Sequence, residues 1–130
     1  MTLGLGVSHH PVNRALGIDM PSPSAALRGD AVEVASWLRG EGPATHLPQQ
    51  PSPYPVPLFL AALTSQNVEL AGEVADGVMP LWWSVERMAR SRRWVERGRA
   101  KSGGRGKLEV ALGLPTFGAG CSNEGKYQFL

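Results

Sequence analysis

The run Leu58-Phe59-Leu60-Ala61-Ala62-Leu63 is short, apolar and uninterrupted, the pattern of a strand buried on both faces. Thr64 and Ser65 follow at once, and either can cap a helix by accepting a hydrogen bond from a backbone N–H two or three residues on. Val68, Ala71 and Ala75 then fall at helical spacing, with Leu70 and Val74 widening the apolar face. Asp76-Gly77 breaks this helix, and Val78-Met79-Pro80-Leu81 reads as a second buried strand. The stretch from Pro57 to Leu81 is thus a strand–turn–helix–strand unit, the building block of parallel α/β folds.

The flanking patterns extend that unit. Thr2 to Val7 reads as a strand running into a polar loop, Ser8 to Arg14, and a domain that begins directly inside a strand implies further chain upstream. After a loop from Ala15 to Pro23, the spacing predicts a helix from about Ser24 to Arg39. Ser24 would cap it, Leu27, Ala31, Val34 or Ala35, and Leu38 would be buried, and Gly40 would end it. Gly29 inside it costs about 1 kcal/mol against Ala. Glu41 to Pro57 carries six prolines and reads as an extended, polyproline-like excursion. Within it Pro48-x-x-Pro51 fits a long loop better than an adaptor-domain ligand. Past the central unit comes Trp82-Trp83, with one ring expected in the core and the other lining a pocket. Ser84 caps a helix to about Lys101 with Val85, Met88 or Ala89, and Val95 as its buried stripe. Ser102 to Gly106 is a turn, Leu108 to Leu114 a fourth strand, and Gly118 to Leu130 has no periodicity. Four strands joined by crossovers imply a parallel α/β sheet.

Composition narrows the function. At 130 residues the chain is one domain, and shorter than the roughly 200 residues of a complete (β/α)8 barrel. A net charge of +2 does not by itself argue for nucleic acid, no run approaches the ~20 apolar residues of a membrane span, and no leader pattern opens the chain. A single cysteine, Cys121, rules out an internal disulfide and fits a reducing cytoplasm. Nine of the thirteen basic residues lie between Arg87 and Lys107, which raises a nucleic-acid reading. That face has few aromatic residues for stacking and no binding motif around it, so a solvated outer helix is the better account. His9 and His10 invite a metal reading, but strand neighbours point to opposite faces, and His46 and Asp19 sit in separate loops; no metal site is expected.

The turn after Leu63 points helix N–H groups and a positive dipole end at one place, where α/β proteins hold phosphates. Leu60-Ala61-Ala62-Leu63-Thr64 running into Glu69-Leu70-Ala71-Gly72-Glu73-Val74-Ala75-Asp76-Gly77-Val78 resembles a segment of the luciferase-like flavin-dependent monooxygenases, whose relatives include enzymes using the deazaflavin coenzyme F-420. Gly4-Leu5-Gly6-Val7-Ser8-His9, with Pro11 and Asn13, resembles the cofactor-side strand of that deazaflavin branch. His9 stands where other members often carry an acidic residue, which leaves its role open.

The resemblance implies a partial (β/α)8 TIM barrel of about four parallel strands. Residues 2–117 correspond to its central and later part, and 118–130 form an irregular tail outside the family pattern. It implies a cytoplasmic oxidoreductase or monooxygenase that transfers hydride, or adds oxygen from O2, to a small organic substrate. Val7, Ser8 and Asn13 would touch the ring system or its ribityl chain. Ala61, Ala62, Leu63 and Thr64, with Gln66 and Asn67 at the helix start, would hold the cofactor phosphate through backbone N–H groups. F-420 is the preferred cofactor and flavin mononucleotide (FMN) the alternative; no catalytic acid or base is identified. A half barrel leaves two sheet edges open, so self-association is expected. The competing reading is a truncated gene product with no catalysis of its own.

Overall fold

The computed structural model describes residues 1–42, 51, 53–103 and 106–113. Most of the proline-rich excursion, including His46 and Pro48, lies outside these residues, as do Leu114, Cys121 and the 118–130 tail. The element order is β1 (Leu3–Leu5), α1 (His10–Ala15), α2 (Pro23–Leu38), β2 (Leu58–Ala61), α3 (Ser65–Val74), β3 (Gly77–Met79), α4 (Val85–Lys101) and β4 (Glu109–Val110).

The four strands form one parallel sheet in chain order, β1-β2-β3-β4. This is α/β architecture with the strand direction and crossovers of a partial (β/α)8 barrel. An isolated parallel bridge, Leu81 with Gly113, carries the β3–β4 pairing past the ends of the named strands. Alternation along the strands sorts the side chains onto two faces. Leu58, Leu60 and Val78 pack into one core with Leu27 and Ala31 of α2 and with Val68, Leu70, Ala71 and Ala75 at α3, and Leu3, Leu5 and Val7 of the β1 segment lie against it. Gly4, Gly6, Phe59, Ala61, Gly77 and Met79 alternate with these residues, so they belong to the opposite face. There a Cβ on Gly77 would overlap the Phe59 ring, and one on Gly4 would meet Met79 Cε at 3.0 Å. The glycines thus make room for the Phe59 ring and the Met79 side chain on that face. Among the described residues no helix is long and apolar enough to cross a membrane.

Several sequence expectations need correction. The polar segment after β1 is not all loop: His10–Ala15 forms a short helix. Pro11 lies in its first turn, where the missing N–H is no loss and the fixed φ suits a helix. The second helix begins at Pro23, with Ser22 rather than Ser24 as its N-cap. Ser24 lies inside the helix and donates its hydroxyl to Asn67 Oδ1 on α3, at 2.6 Å. The stripe expected on α4 holds only at Val95, which packs against the core. Val85 is 81% exposed and Met88 and Ala89 face solvent, while the fully buried positions are Ser91 and Gly98. The reason is steric. A Cβ on Gly98 would overlap the Glu69 carbonyl, and one on Gly72 would meet Val95 O at 2.7 Å, so the helices meet backbone to backbone. An aliphatic stripe would hold them apart.

Candidate functional site at the carboxyl ends of the strands

The residues singled out from the sequence lie just past the carboxyl ends of β1 and β2. These two ends adjoin: a Cβ on Gly6 would lie 3.0 Å from Ala61 Cβ. Val7 is half-buried against the core, and its carbonyl accepts a hydrogen bond from Asn13 Nδ2 at 3.0 Å. Asn13 is itself buried, so its carboxamide works first as a brace between α1 and the end of β1. Ser8, between them, is exposed and has a φ of 59°, a left-handed conformation that costs a non-glycine residue about 1–2 kcal/mol.

On the second strand, Ala61 is exposed, Ala62 is buried in the core and Leu63 is 55% exposed. Thr64 is the N-cap of α3, and its Oγ1 accepts from the Asn67 N–H at 3.3 Å. Asn67 thus helps to hold the helix start, its backbone amide on Thr64 and its side-chain oxygen on Ser24. The first-turn amides of Ser65 and Gln66 have no acceptor within the helix, as for any helix start, and both residues are exposed. Residues 61–67 contain no carboxylate. The turn itself therefore presents donors and a positive dipole end, while Glu69 and Glu73, which line the groove beside Ser65 and Gln66, are paired with Arg97, Lys101 and Arg28.

At the end of β3, Trp83 is buried in the core and Trp82 is 55% exposed, so Trp83 is the core ring that the sequence left open. Trp82 is the other non-glycine residue with a left-handed backbone, at φ 55°, and its N–H donates to Gly113 O at 3.0 Å. Strained backbone at two strand ends on the same side of the sheet is the kind of outlier that accompanies binding sites.

Two contributors were missed by sequence reasoning. Arg87, counted there only among the basic residues of α4, donates from Nη2 to Leu63 O at 2.7 Å. Its guanidinium also lies over the Trp94 ring, 4.8 Å from the centroid. The available signal was its position three residues after the Ser84 cap, in the first turn of α4. Ser24 was read as a helix cap and instead links α2 to the start of α3. Beside Arg87, the Ser84 hydroxyl holds the Glu86 carboxyl below the usual carboxylate range.

The remaining charges serve packing or lie in solvent. Arg28 pairs with Glu73, while Arg97 and Lys101 both reach Glu69. Arg90, Arg92 and Arg93 are exposed. A groove of about 480 Å³ runs beside these ion pairs, between the α2 start and α3, bounded by Ser65, Gln66, Arg28 and Lys101. His9 is the N-cap of α1 without a side-chain cap bond, and His10 Nε2 lies 3.3 Å from Arg14 Nη2. Among the described residues, no three His, Cys, Asp or Glu side chains are grouped to hold a metal ion.

Compared with known families, residues 1–120 match the family model described as luciferase-like monooxygenase. Among curated proteins none matches the chain.

Proposed function

We propose a flavin-type function from one premise: this chain belongs to the luciferase-like monooxygenase family. The site supports that a flavin-type cofactor lies across the carboxyl ends of β1 and β2. Its phosphate would lie at the β2–α3 turn and its ring beside the joined ends of β1 and β2, at Gly6 and Ala61. The observation that carries this reading is the junction of the two strand ends at Gly6 and Ala61, which sets the Val7–Asn13 segment beside the donor-rich turn at 61–67.

The residues suit such a group. Ser8, Ser65 and Gln66 are exposed residues with hydroxyl or first-turn amide donors, and the exposed Gly6 and Ala61 place little side-chain bulk where the two strand ends meet. When bound, the cofactor would supply hydride transfer or O2 activation toward a small organic substrate. The chain's part is to fix the phosphate, orient the ring and shape the cavity. Asn13 keeps the Val7 carbonyl occupied and so steadies the β1 loop, while Thr64 and Asn67 hold the α3 amides in line. Deazaflavin coenzyme F-420 is the preferred cofactor because the Gly4–Asn13 element resembles that branch; FMN is the alternative. Pairing of open sheet edges between copies belongs to the same proposal.

The test is a fluorescence titration of the protein with each cofactor, repeated on Ser65→Pro. Proline at the first helical position removes one amide donor without breaking the helix. Saturable binding that weakens in Ser65→Pro, with circular dichroism unchanged, supports the reading. Binding of neither cofactor by a folded sample would overturn it.

A further inference from the structure

On the reading that a cofactor phosphate lies at the β2–α3 turn, we propose that Arg87 of α4 is a positioning residue for that phosphate. It would act by occupying the Leu63 carbonyl and by holding a fixed positive charge at the turn.

An anion at a βα turn meets a polarity problem. A βα turn attracts an anion only if its N–H groups face the ligand and its carbonyls face elsewhere, since a carbonyl oxygen beside a phosphate oxygen is repulsive. Leu63 directly precedes the Thr64 cap, so its carbonyl belongs to the peptide that leads into the helix start. Arg87 Nη2 takes that carbonyl at 2.7 Å, from an element 24 residues away in the chain. The donor is itself constrained. Arg87 lies in the first turn of α4, whose Ser84 cap accepts from the Arg87 N–H at 3.2 Å, and its guanidinium stacks on Trp94. A guanidinium carries five N–H donors, and Leu63 O accounts for one, so further donors remain beside the turn. A surface arginine free to swing would confer little. One held by a cap, a ring and a carbonyl is organised before the ligand arrives.

This differs from what the exposed arginines of the same helix offer. Arg90, Arg92 and Arg93 face solvent, and Arg97 and Lys101 are committed to Glu69. Among the basic residues of α4, Arg87 is the one hydrogen-bonded to the β2–α3 turn.

The experiment compares FMN with riboflavin, which differ only in phosphate, or, if the wild-type protein binds only the deazaflavin, F-420 with its chromophore, which lacks the phosphate together with the acidic tail attached to it. In Arg87→Met the preference for the phosphorylated ligand should fall about tenfold or more, while the phosphate-free ligand binds within about twofold of wild type. Arg87→Lys, which keeps the charge but not the fork, should recover part of the preference. Arg87→Gln keeps an N–H for the Leu63 carbonyl but removes the charge, so the preference should fall in it too, and it tests the fixed charge if the methionine variant fails to fold. An unchanged preference in folded Arg87→Met would overturn the role of Arg87, and in folded Arg87→Gln its role as a fixed charge; either leaves the phosphate-turn reading standing. A wild-type protein with no preference for the phosphorylated ligand would overturn both.

Discussion

Gly72 and Gly98 face each other where α3 crosses α4: a Cβ built on Gly72 would lie 3.1 Å from Gly98 Cα and 2.7 Å from Val95 O. Backbone, not side chain, fills the space on both sides, so neither helix can yield by a rotamer change. Gly98→Ala should therefore destabilise the chain by about 2–3 kcal/mol, because overpacking outweighs the roughly 1 kcal/mol that alanine returns in helix propensity. Urea denaturation measures this. An unchanged midpoint would mean the two helices stand further apart than described.

Gly29 is the opposite case. It lies in α2, is exposed, and a Cβ there would meet nothing within 4 Å. Gly29→Ala should stabilise the chain by about 0.5–1 kcal/mol. A thermal melt that rises by a few degrees would agree, and a lower melting temperature would count against the helix at that position.

The start of α3 depends on Thr64 and Asn67 acting together. Thr64→Ala should cost about 1 kcal/mol through the lost cap, while Thr64→Ser keeps a hydroxyl and should be nearly neutral. Asn67→Ala should cost about 1–2 kcal/mol, since it strands the Ser24 hydroxyl in a partly buried contact. Either loss loosens the α3 amides, so cofactor affinity should fall with stability in these variants, whereas Ser65→Pro should lower affinity alone. Paired titration and unfolding curves separate the two effects.

Acid should weaken the α2–α3–α4 contacts. Hydrogen bonds from Arg28 to Glu73, and from Lys101 and then Arg97 to Glu69, hold both carboxyl groups below the usual carboxylate range. A carboxylate whose folded pKa is depressed contributes stability that is present above its unfolded pKa, about 4.3, and is lost as pH falls through the folded value. The denaturation midpoint should thus be steady near neutrality and drop below about pH 4. Glu73→Gln should flatten part of that drop, and an acid limb identical to wild type would show that the Arg28 pair contributes nothing measurable.

The central unit was legible because its signals were local and agreed with one another. The periodicity of Val68, Ala71 and Ala75, the cap at Thr64 and the break at Asp76-Gly77 all point to one helix between two strands, and all three apolar residues are fully buried. The α/β class and parallel order follow from that repetition. What stayed hidden was set by tertiary contact. The α3–α4 crossing is built on glycines, which carry no hydrophobic signal, so of the stripe expected on α4 only Val95 packs inward and Val85, Met88 and Ala89 lie in solvent. Ser24 and Arg87 act across 43 and 24 residues of chain, distances at which local pattern has nothing to say. Pro11, taken as a loop marker, serves equally well to open a short helix. At the site, the segment after β1 and the turn after β2 were each visible as motifs, but the hydrogen bonds that occupy Asn13 and Asn67 were not.

Because the four described strands pair in chain order, each with its predecessor, this sheet can be assembled in the order in which it is translated. A described strand leaving the ribosome finds its neighbour already made, and none of these three pairings waits for the segment after Gly113. The half of the candidate site formed by β1, β2 and the start of α3 is then complete within the first 67 residues, before α4 has been synthesised. Arg87 would arrive afterwards and latch the turn.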